Sequence, residues 1–324
     1  MSQATIEVEH LSKVYGSKTA IEDVNFSLAA GEIMGFLGPN GAGKTTTMRI
    51  LAGYLPATRG TAKIAGYDVH RDAMEVRRRI GYLPETPPLY LEMTVKGFLF
   101  FVAKIKGINA GNRRRQVVKA MMRCQLIDQE NVTIRKLSKG YRQRVGIAQA
   151  IVHEPPVIIL DEPTVGLDPR QIIEVRNLIK SLAGEHTIML STHILPEASM
   201  ICDRVTIINH GKVVTTNTPR DLQAQLESHF GYELEIAGNV EQVYPLLRSI
   251  SGVIQVTKVE HTLTKYPHHH LLKIACAPDT QPGKDIAAII VQQGLELYEL
   301  RRTRPSLEDV FLELTTEEPL TINH

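Results

Sequence analysis

Gly38-Pro39-Asn40-Gly41-Ala42-Gly43-Lys44-Thr45 is a glycine, four free positions and then Gly-Lys-Thr, the spacing of a phosphate-binding loop. Its flanks fit that reading. Ile33-Met34-Gly35-Phe36-Leu37 predicts a short buried strand, and Lys44 to Leu51 predicts a helix closed by Gly53. Glycines let the backbone close into a nest of N–H groups, and the following helix points its positive end at the same spot. Phosphate oxygens are what such a nest holds. Gly38 to Thr45, with Thr46 in the first helical turn, are therefore expected to contact a nucleoside triphosphate. Lys44 would reach the β- and γ-phosphates, and the Thr45 hydroxyl a magnesium ion that bridges them.

The composition around this loop is that of a globular chain. A length of 324 residues suggests about two domains, and 43% hydrophobic residues suffice for their cores. Lys plus Arg, 37, nearly balances Asp plus Glu, 35, so no basic excess points to nucleic acid. No apolar run approaches the ~20 residues of a membrane span, and Met1-Ser2-Gln3 does not open a signal peptide. A soluble, intracellular chain is expected. Cys124, Cys202 and Cys276 are widely spaced, as reduced thiols would be.

Upstream of the loop, Ile6, Val8, Leu11 and Val14 alternate as an edge strand does, and Val24, Phe26 and Leu28 continue the pattern to the Ala30-Gly31 turn. Tyr15 ends the first strand, where a ring either packs or stacks on a nucleobase. Downstream, Arg77-Arg78-Arg79 closes a helix from about Asp72 and reads as a solvated, dipole-favoured face. Ile80 to Leu83 is strand-like, stops at Pro84 and presents Glu85. Thr94 is expected to cap a helix burying Val95, Leu99 and Val102, and Asn112 another burying Val118, Met121 and Met122. The apolar tip Pro87-Pro88-Leu89-Tyr90 precedes this helical insertion and reads as an exposed partner site.

A second chemical cluster begins at Leu137-Ser138-Lys139-Gly140-Tyr141, where Ser138 caps a helix whose N-terminus, with the Gly140 amide, suits an anion. Val157-Ile158-Ile159-Leu160 reads as a central parallel strand that ends in Asp161-Glu162. Two acids at such a strand end are costly unless a cation meets them. Magnesium held by Thr45, Asp161 and phosphate oxygens resolves the cost, and Glu162 stands where a base orients the attacking water. A further apolar strand, Thr187 to Leu190, leads through Ser191-Thr192 to His193, which alone would be a capping or core histidine.

Together these stretches resemble the ATP-binding subunit of an ABC transporter, over residues 4 to about 228. The resemblance implies that Tyr15 is the adenine-stacking aromatic, Gly38 to Thr45 the Walker A loop, and Glu85 the Q-loop residue and a metal ligand. It implies that Ser138 to Tyr141 are the signature, Asp161 and Glu162 the Walker B aspartate and catalytic glutamate, Gly166-Leu167-Asp168 the D-loop, and His193 the switch histidine. Three positions depart from the family pattern. The signature reads Leu-Ser-Lys-Gly-Tyr where Leu-Ser-Gly-Gly-Gln is usual, and Glu85 stands where a glutamine is usual, adding negative charge beside Asp161 and Glu162. Within the family the chain is similar to bacterial multidrug and gliding-motility exporters that pair with an ABC-2-type permease.

Past His210-Gly211-Lys212, strands and helices in the order βαββαβ predict a small α+β domain of ferredoxin-like, split-βαβ kind. His268-His269-His270 reads as a solvated hairpin turn, Pro305 to Leu312 as a terminal helix, and the tail after Thr315 as disordered. The expected fold class is thus α/β: a P-loop ABC cassette over 1–228, mixed-sheet core, antiparallel edge and helical insertion at about 86–156, with an accessory domain over 229–324. The resemblance implies an ATPase that binds ATP and magnesium and pairs head-to-tail with a second copy. It also implies a place on the inner face of the cell membrane, held there by the permease. The competing class is an ABC ATPase of DNA repair or translation; those carry a long coiled-coil insertion or two cassettes, and this chain has one cassette and a short span between Lys44 and Ser138.

Overall fold

The computed structural model describes residues 4–222, 231–259, 269–277, 280–303 and 315. The chain divides into two compact units, Met1–Pro219 and Arg220–His324. The boundary expected at 228 falls outside the described residues, as do His268, the helix expected from Pro305 and the tail after Thr315.

In the first unit, β1 (Ala4–Tyr15) and β2 (Lys18–Ala29) form a long antiparallel hairpin, which β4 (Arg59–Ile64) and β5 (Tyr67–Asp68) extend in the order β2-β1-β4-β5. The second sheet is built on β3 (Ile33–Leu37), β6 (Ile80–Leu83), β7 (Val157–Asp161), β8 (Thr187–Thr192), β9 (Arg204–Asn209) and β10 (Lys212–Asn217). Its order is β10-β9-β3-β8-β7-β6, parallel throughout except for β10. Every residue of β3, β7 and β8 is buried, the signature of parallel strands covered on both faces.

Between the sheets lies the core. Ile6, Leu11, Val24 and Leu28 of the hairpin pack with Phe36 of β3 and with Met48, Ile50 and Leu51 of α1 (Lys44–Leu51). The rings of Phe26 and Phe36 meet at 5.4 Å across the two layers. With hydrophobic burial near 25 cal/mol per Å², this contact is what fastens the phosphate loop's strand and helix to the hairpin.

Helix α2 (Ala73–Arg79) leads into β6. Its three arginines are tied down and not merely solvated: Arg78 and Arg79 pair with Glu75, Arg79 stacks on Tyr67 at 4.0 Å, and Arg77 donates to the Gly53 carbonyl. Then come α3 (Val95–Ile105), α4 (Ala110–Arg123) and α5 (Lys139–Ile151). Thr94 caps α3, its hydroxyl accepting from the Gly97 amide. Helix α4 starts two residues before Asn112, at the carbonyl of Asn109, because the frame that buries Val117, Ala120 and Met121 requires it. Met122 is consequently 63% exposed. After β7 come α6 (Pro169–Ser181), capped by Asp168, and α7 (Leu195–Ser199).

The second unit holds β11 (Gly231–Ala237), α8 (Tyr244–Arg248), β12 (Val253–Lys258), β13 (His269–Cys276), α9 (Gly283–Gln292) and β14 (Glu296–Thr303). Its antiparallel sheet runs β12-β13-β11-β14 over a core of Leu234, Ile236, Leu247, Val256, Leu272, Ile274, Ile286 and Ile290. His269 is buried in β13, paired with Glu235 at 2.6 Å and stacked on Tyr298 at 4.1 Å, so the solvated turn expected at this position is corrected. The carboxylate facing it from β11 is what makes burial of the imidazole tolerable. Among the described residues no helix is long and apolar enough to cross a membrane.

Candidate functional site

Strands β3, β8 and β7 are neighbours and parallel, so their C-terminal ends open onto one edge of the sheet. The loop Gly38 to Gly43 leaves β3 there, Asp161-Glu162 leaves β7, and His193 follows β8. Ligands of parallel α/β sheets bind at this edge.

Positive φ values at Gly41 (84°) and Gly43 (107°) turn the loop into helix α1. Two glycines are fixed by space as well. A Cβ at Gly38 would meet the Ile208 carbonyl at 2.3 Å, and one at Gly43 would meet Ile21 at 2.5 Å. Gly41 faces open space, which leaves the crown of the loop clear for a ligand. Pro39 is half-buried, Asn40 exposed and Ala42 buried, its carbonyl accepting from the Gly211 amide. Lys44, only 5% exposed, turns its ammonium back over the loop and donates to the carbonyls of Gly38 (2.7 Å) and Pro39 (3.2 Å).

Lys44 also meets Glu162, Nζ to Oε1 at 3.4 Å, and the other carboxylate oxygen of Glu162 lies 3.1 Å from His193 Nδ1. Glu162 is 7% exposed and has a left-handed φ of 49°. For a residue other than glycine that conformation costs about 1–3 kcal/mol, so surrounding contacts must impose it. One is visible: the Glu162 amide donates to Ser191 Oγ at 2.9 Å. The same hydroxyl donates to Asp161 Oδ1 at 2.6 Å, and Thr45 Oγ1 approaches that oxygen at 3.3 Å.

Asp161 Oδ2 is buried and has no hydrogen-bond partner. An orphaned carboxylate oxygen next to a threonine hydroxyl is what a hard divalent cation of magnesium type requires. Among the described residues no three His, Cys, Asp or Glu side chains gather into a metal cluster, so phosphate oxygens and water would supply further ligands. Nearby on β6, burial and the charge of Asp161 push the Tyr82 hydroxyl up to about 12, so it stays neutral.

The structure brings together Lys44, Thr45, Asp161, Glu162 and His193, and Thr46 lies half-buried in the first turn of α1. The other expected residues stand elsewhere. Tyr15 ends β1 with its ring 47% exposed and Lys13 Nζ 5.2 Å from its centroid. Glu85 is exposed after β6, and Tyr90, further along the chain, is 56% exposed with its ring edge-on to Phe101 at 5.2 Å. Ser138 caps α5, accepting from the Tyr141 amide at 3.4 Å. Gly140 is packed against Gln171, since a Cβ there would meet its side chain at 2.7 Å. Among the described residues no hydrogen bond or ion pair joins Tyr15, Glu85, Ser138 or Gly140 to the Lys44–Glu162 cluster.

Ser191 went unassigned in the sequence, because its role depends on the β7–β8 register that sets it beside Asp161. Thr164 and Glu197 are a second such pair: the Thr164 hydroxyl donates to Glu197 at 2.8 Å, joining the turn after Glu162 to the helix after His193.

Residues 21–165 match the ABC transporter family. The chain is 34% identical to the bacitracin transport ATP-binding protein BcrA of Bacillus licheniformis, covering 95% of this chain and 96% of that one. It is 33% identical to the Nod factor export ATP-binding protein I of Paraburkholderia xenovorans (strain LB400), covering 98% and 99% respectively. Among solved structures, a dimeric ATP-binding cassette in a post-hydrolysis state with ADP and Pi superposes with a TM-score of 0.60. It is 26% identical and covers 66% of this chain and 99% of that one.

Proposed function

The chain belongs to the ABC transporter ATP-binding proteins, and from that premise we propose which residues carry the chemistry and what the ATPase drives. It is an ATP-hydrolysing subunit that energises transport, and members of this family bind nucleotide and dimerise. In our reading the observation that carries the site is the pairing of Glu162 with Lys44 on one oxygen and His193 on the other, beside an orphaned Asp161 oxygen.

Phosphoryl transfer to water depends on positioning and charge stabilisation. The loop amides of Gly38 to Gly43 hold the phosphate oxygens, and Lys44 exchanges its carbonyl partners for the β- and γ-phosphates. Thr45 and Asp161 would hold magnesium, with Glu85 reaching it from the Q-loop; bound there, the ion neutralises charge developing on the phosphates. Glu162 orients the attacking water and takes its proton. His193 fixes the Glu162 carboxylate and faces the γ-phosphate. Tyr15 stacks on adenine. Ser138 and Gly140 of a second, identical copy complete the site in a head-to-tail dimer with two active sites.

What is moved, we propose, passes outward through a separate ABC-2-type permease that holds the chain on the inner face of the membrane. A relative named for Nod factor export supports that direction, and one named for bacitracin transport supports transport itself. The exposed Tyr90, a few residues after Glu85, supports a permease contact there. We read 1–228 as the cassette and the second unit as a ferredoxin-like accessory domain, which its strand order supports. The test is affinity capture of the chain from gently solubilised native membranes, with phosphate release measured on what is recovered. Recovery with a multi-span membrane protein that stimulates release is expected. Recovery with nucleic acid or ribosomes, and stimulation by them, would overturn this reading in favour of repair or translation.

A further inference from the structure

We propose that Ser191 is a positioning residue that aligns both carboxylates of the site through one hydroxyl. The inference rests on Asp161 and Glu162 having the roles given above. Ser191 is wholly buried at the end of β8, directly opposite Asp161 in the parallel register. Its Oγ donates to Asp161 Oδ1 at 2.6 Å and accepts from the Glu162 amide at 2.9 Å. A hydroxyl has one donor and two acceptor sites, and here one of each is used.

Each bond does a different thing. Donation to Oδ1 pins the Asp161 carboxylate so that Oδ2 is the oxygen left without a partner, the one a cation would take. Acceptance from the Glu162 amide holds that residue at φ 49°, the conformation from which its two oxygens reach Lys44 and His193. Remove the hydroxyl and the carboxylate of Asp161 gains a rotational choice, while Glu162 loses a contact that keeps its backbone left-handed. Neither loss removes a group of the phosphate loop itself, where Lys44 keeps its bonds to the Gly38 and Pro39 carbonyls. Ser191 therefore acts on the metal and on the base, and not on nucleotide affinity as such.

Ser191→Ala separates these claims, with melting temperature as the check that the chain is folded. Partners that orient metal ligands are worth about 10–100-fold in metal affinity or activity, so phosphate release at saturating ATP and magnesium should fall by that factor. In equilibrium titrations with a fluorescent ATP analogue, affinity without magnesium should match the parent, whereas the gain on adding magnesium should shrink about tenfold. The same shrinkage should persist in a Glu162→Gln background, because it runs through Asp161. Parental turnover together with a parental magnesium gain would overturn the proposal, as would equal loss of affinity with and without magnesium in a folded variant. A Glu162→Gln protein that hydrolyses at the parental rate would instead sink the role of Glu162, and the magnesium gain would still report on Ser191.

Discussion

The ammonium of Lys44 and the carboxylate of Glu162 stand 3.4 Å apart, both nearly buried, so the phosphate-loop lysine holds the group that would act as base. Binding and turnover therefore separate in mutants of the two. Glu162→Gln keeps shape and reach but removes the proposed proton acceptor and its negative charge. Turnover should fall about 10²–10⁴-fold, with ATP binding retained and the ATP-bound dimer accumulating. Lys44→Ala should weaken ATP binding about 10–100-fold, the worth of charge-assisted contacts. A phosphate-release assay beside size-exclusion chromatography with ATP and magnesium checks both. Parental hydrolysis by Glu162→Gln would move the search to His193.

Tyr15 offers its half-exposed ring at the end of β1, where a base has room to lie against it. Tyr15→Ala should weaken ATP binding by about 1–2 kcal/mol, the scale of an aromatic contact. Equilibrium titration decides. An unchanged dissociation constant returns Tyr15 to a packing role.

Glu85 and Tyr90 are both exposed in the segment after β6, and of the two only Glu85 offers a carboxylate to a metal ion. Glu85→Gln should keep basal hydrolysis, whereas Tyr90→Ala should mainly lose stimulation by the permease. Hydrolysis by each variant, alone and with the reconstituted permease, is the measurement. Loss of basal turnover alone in both, with stimulation intact, would remove this segment from coupling.

His153 carries a pH dependence of stability far from the site. Its Nε2–H donates to the Ile80 carbonyl at 3.0 Å, which also accepts from Lys106 Nζ at 3.2 Å. Burial, and then repulsion from Lys106, push the imidazole down to about 3. Between that value and its ordinary 6.5 the unfolded chain binds a proton that the folded chain does not. Stability from this group is thus present above pH 6.5 and lost on acidification, with a slope of up to about 1.4 kcal/mol per unit. His153→Gln should flatten the curve from denaturant titrations between pH 6.5 and 4. Parallel curves for variant and parent would refute it.

How far these features could be read from the chain depends on how local their causes are. The strand Ile33–Leu37 and helix Lys44–Leu51 match their expected bounds, because loop chemistry and a continuous apolar run both act within a few residues. The Thr94 cap was legible for the same reason. Asn112 was misread because Asn109 and Asn112 offer the same side chain, and only the face that packs inward chooses between them. His269 looked solvated because its partner Glu235 is 34 positions away on another strand. Ser191 escaped notice on similar grounds: nothing near it in sequence distinguishes it from any other serine at a strand end, and its two bonds cross to β7.

The pairing of Asp161 with Ser191 makes strand alignment and chemical competence one property. Side chains alternate along a strand, so a slip of β7 by a single residue would turn Asp161 to the opposite face while leaving apolar Leu160 in its place. Such a slipped molecule would keep its helices and most of its sheet, and circular dichroism would count it as native. Specific activity per folded molecule, and not folded yield alone, is accordingly the quantity that reports whether a preparation of this protein has assembled correctly.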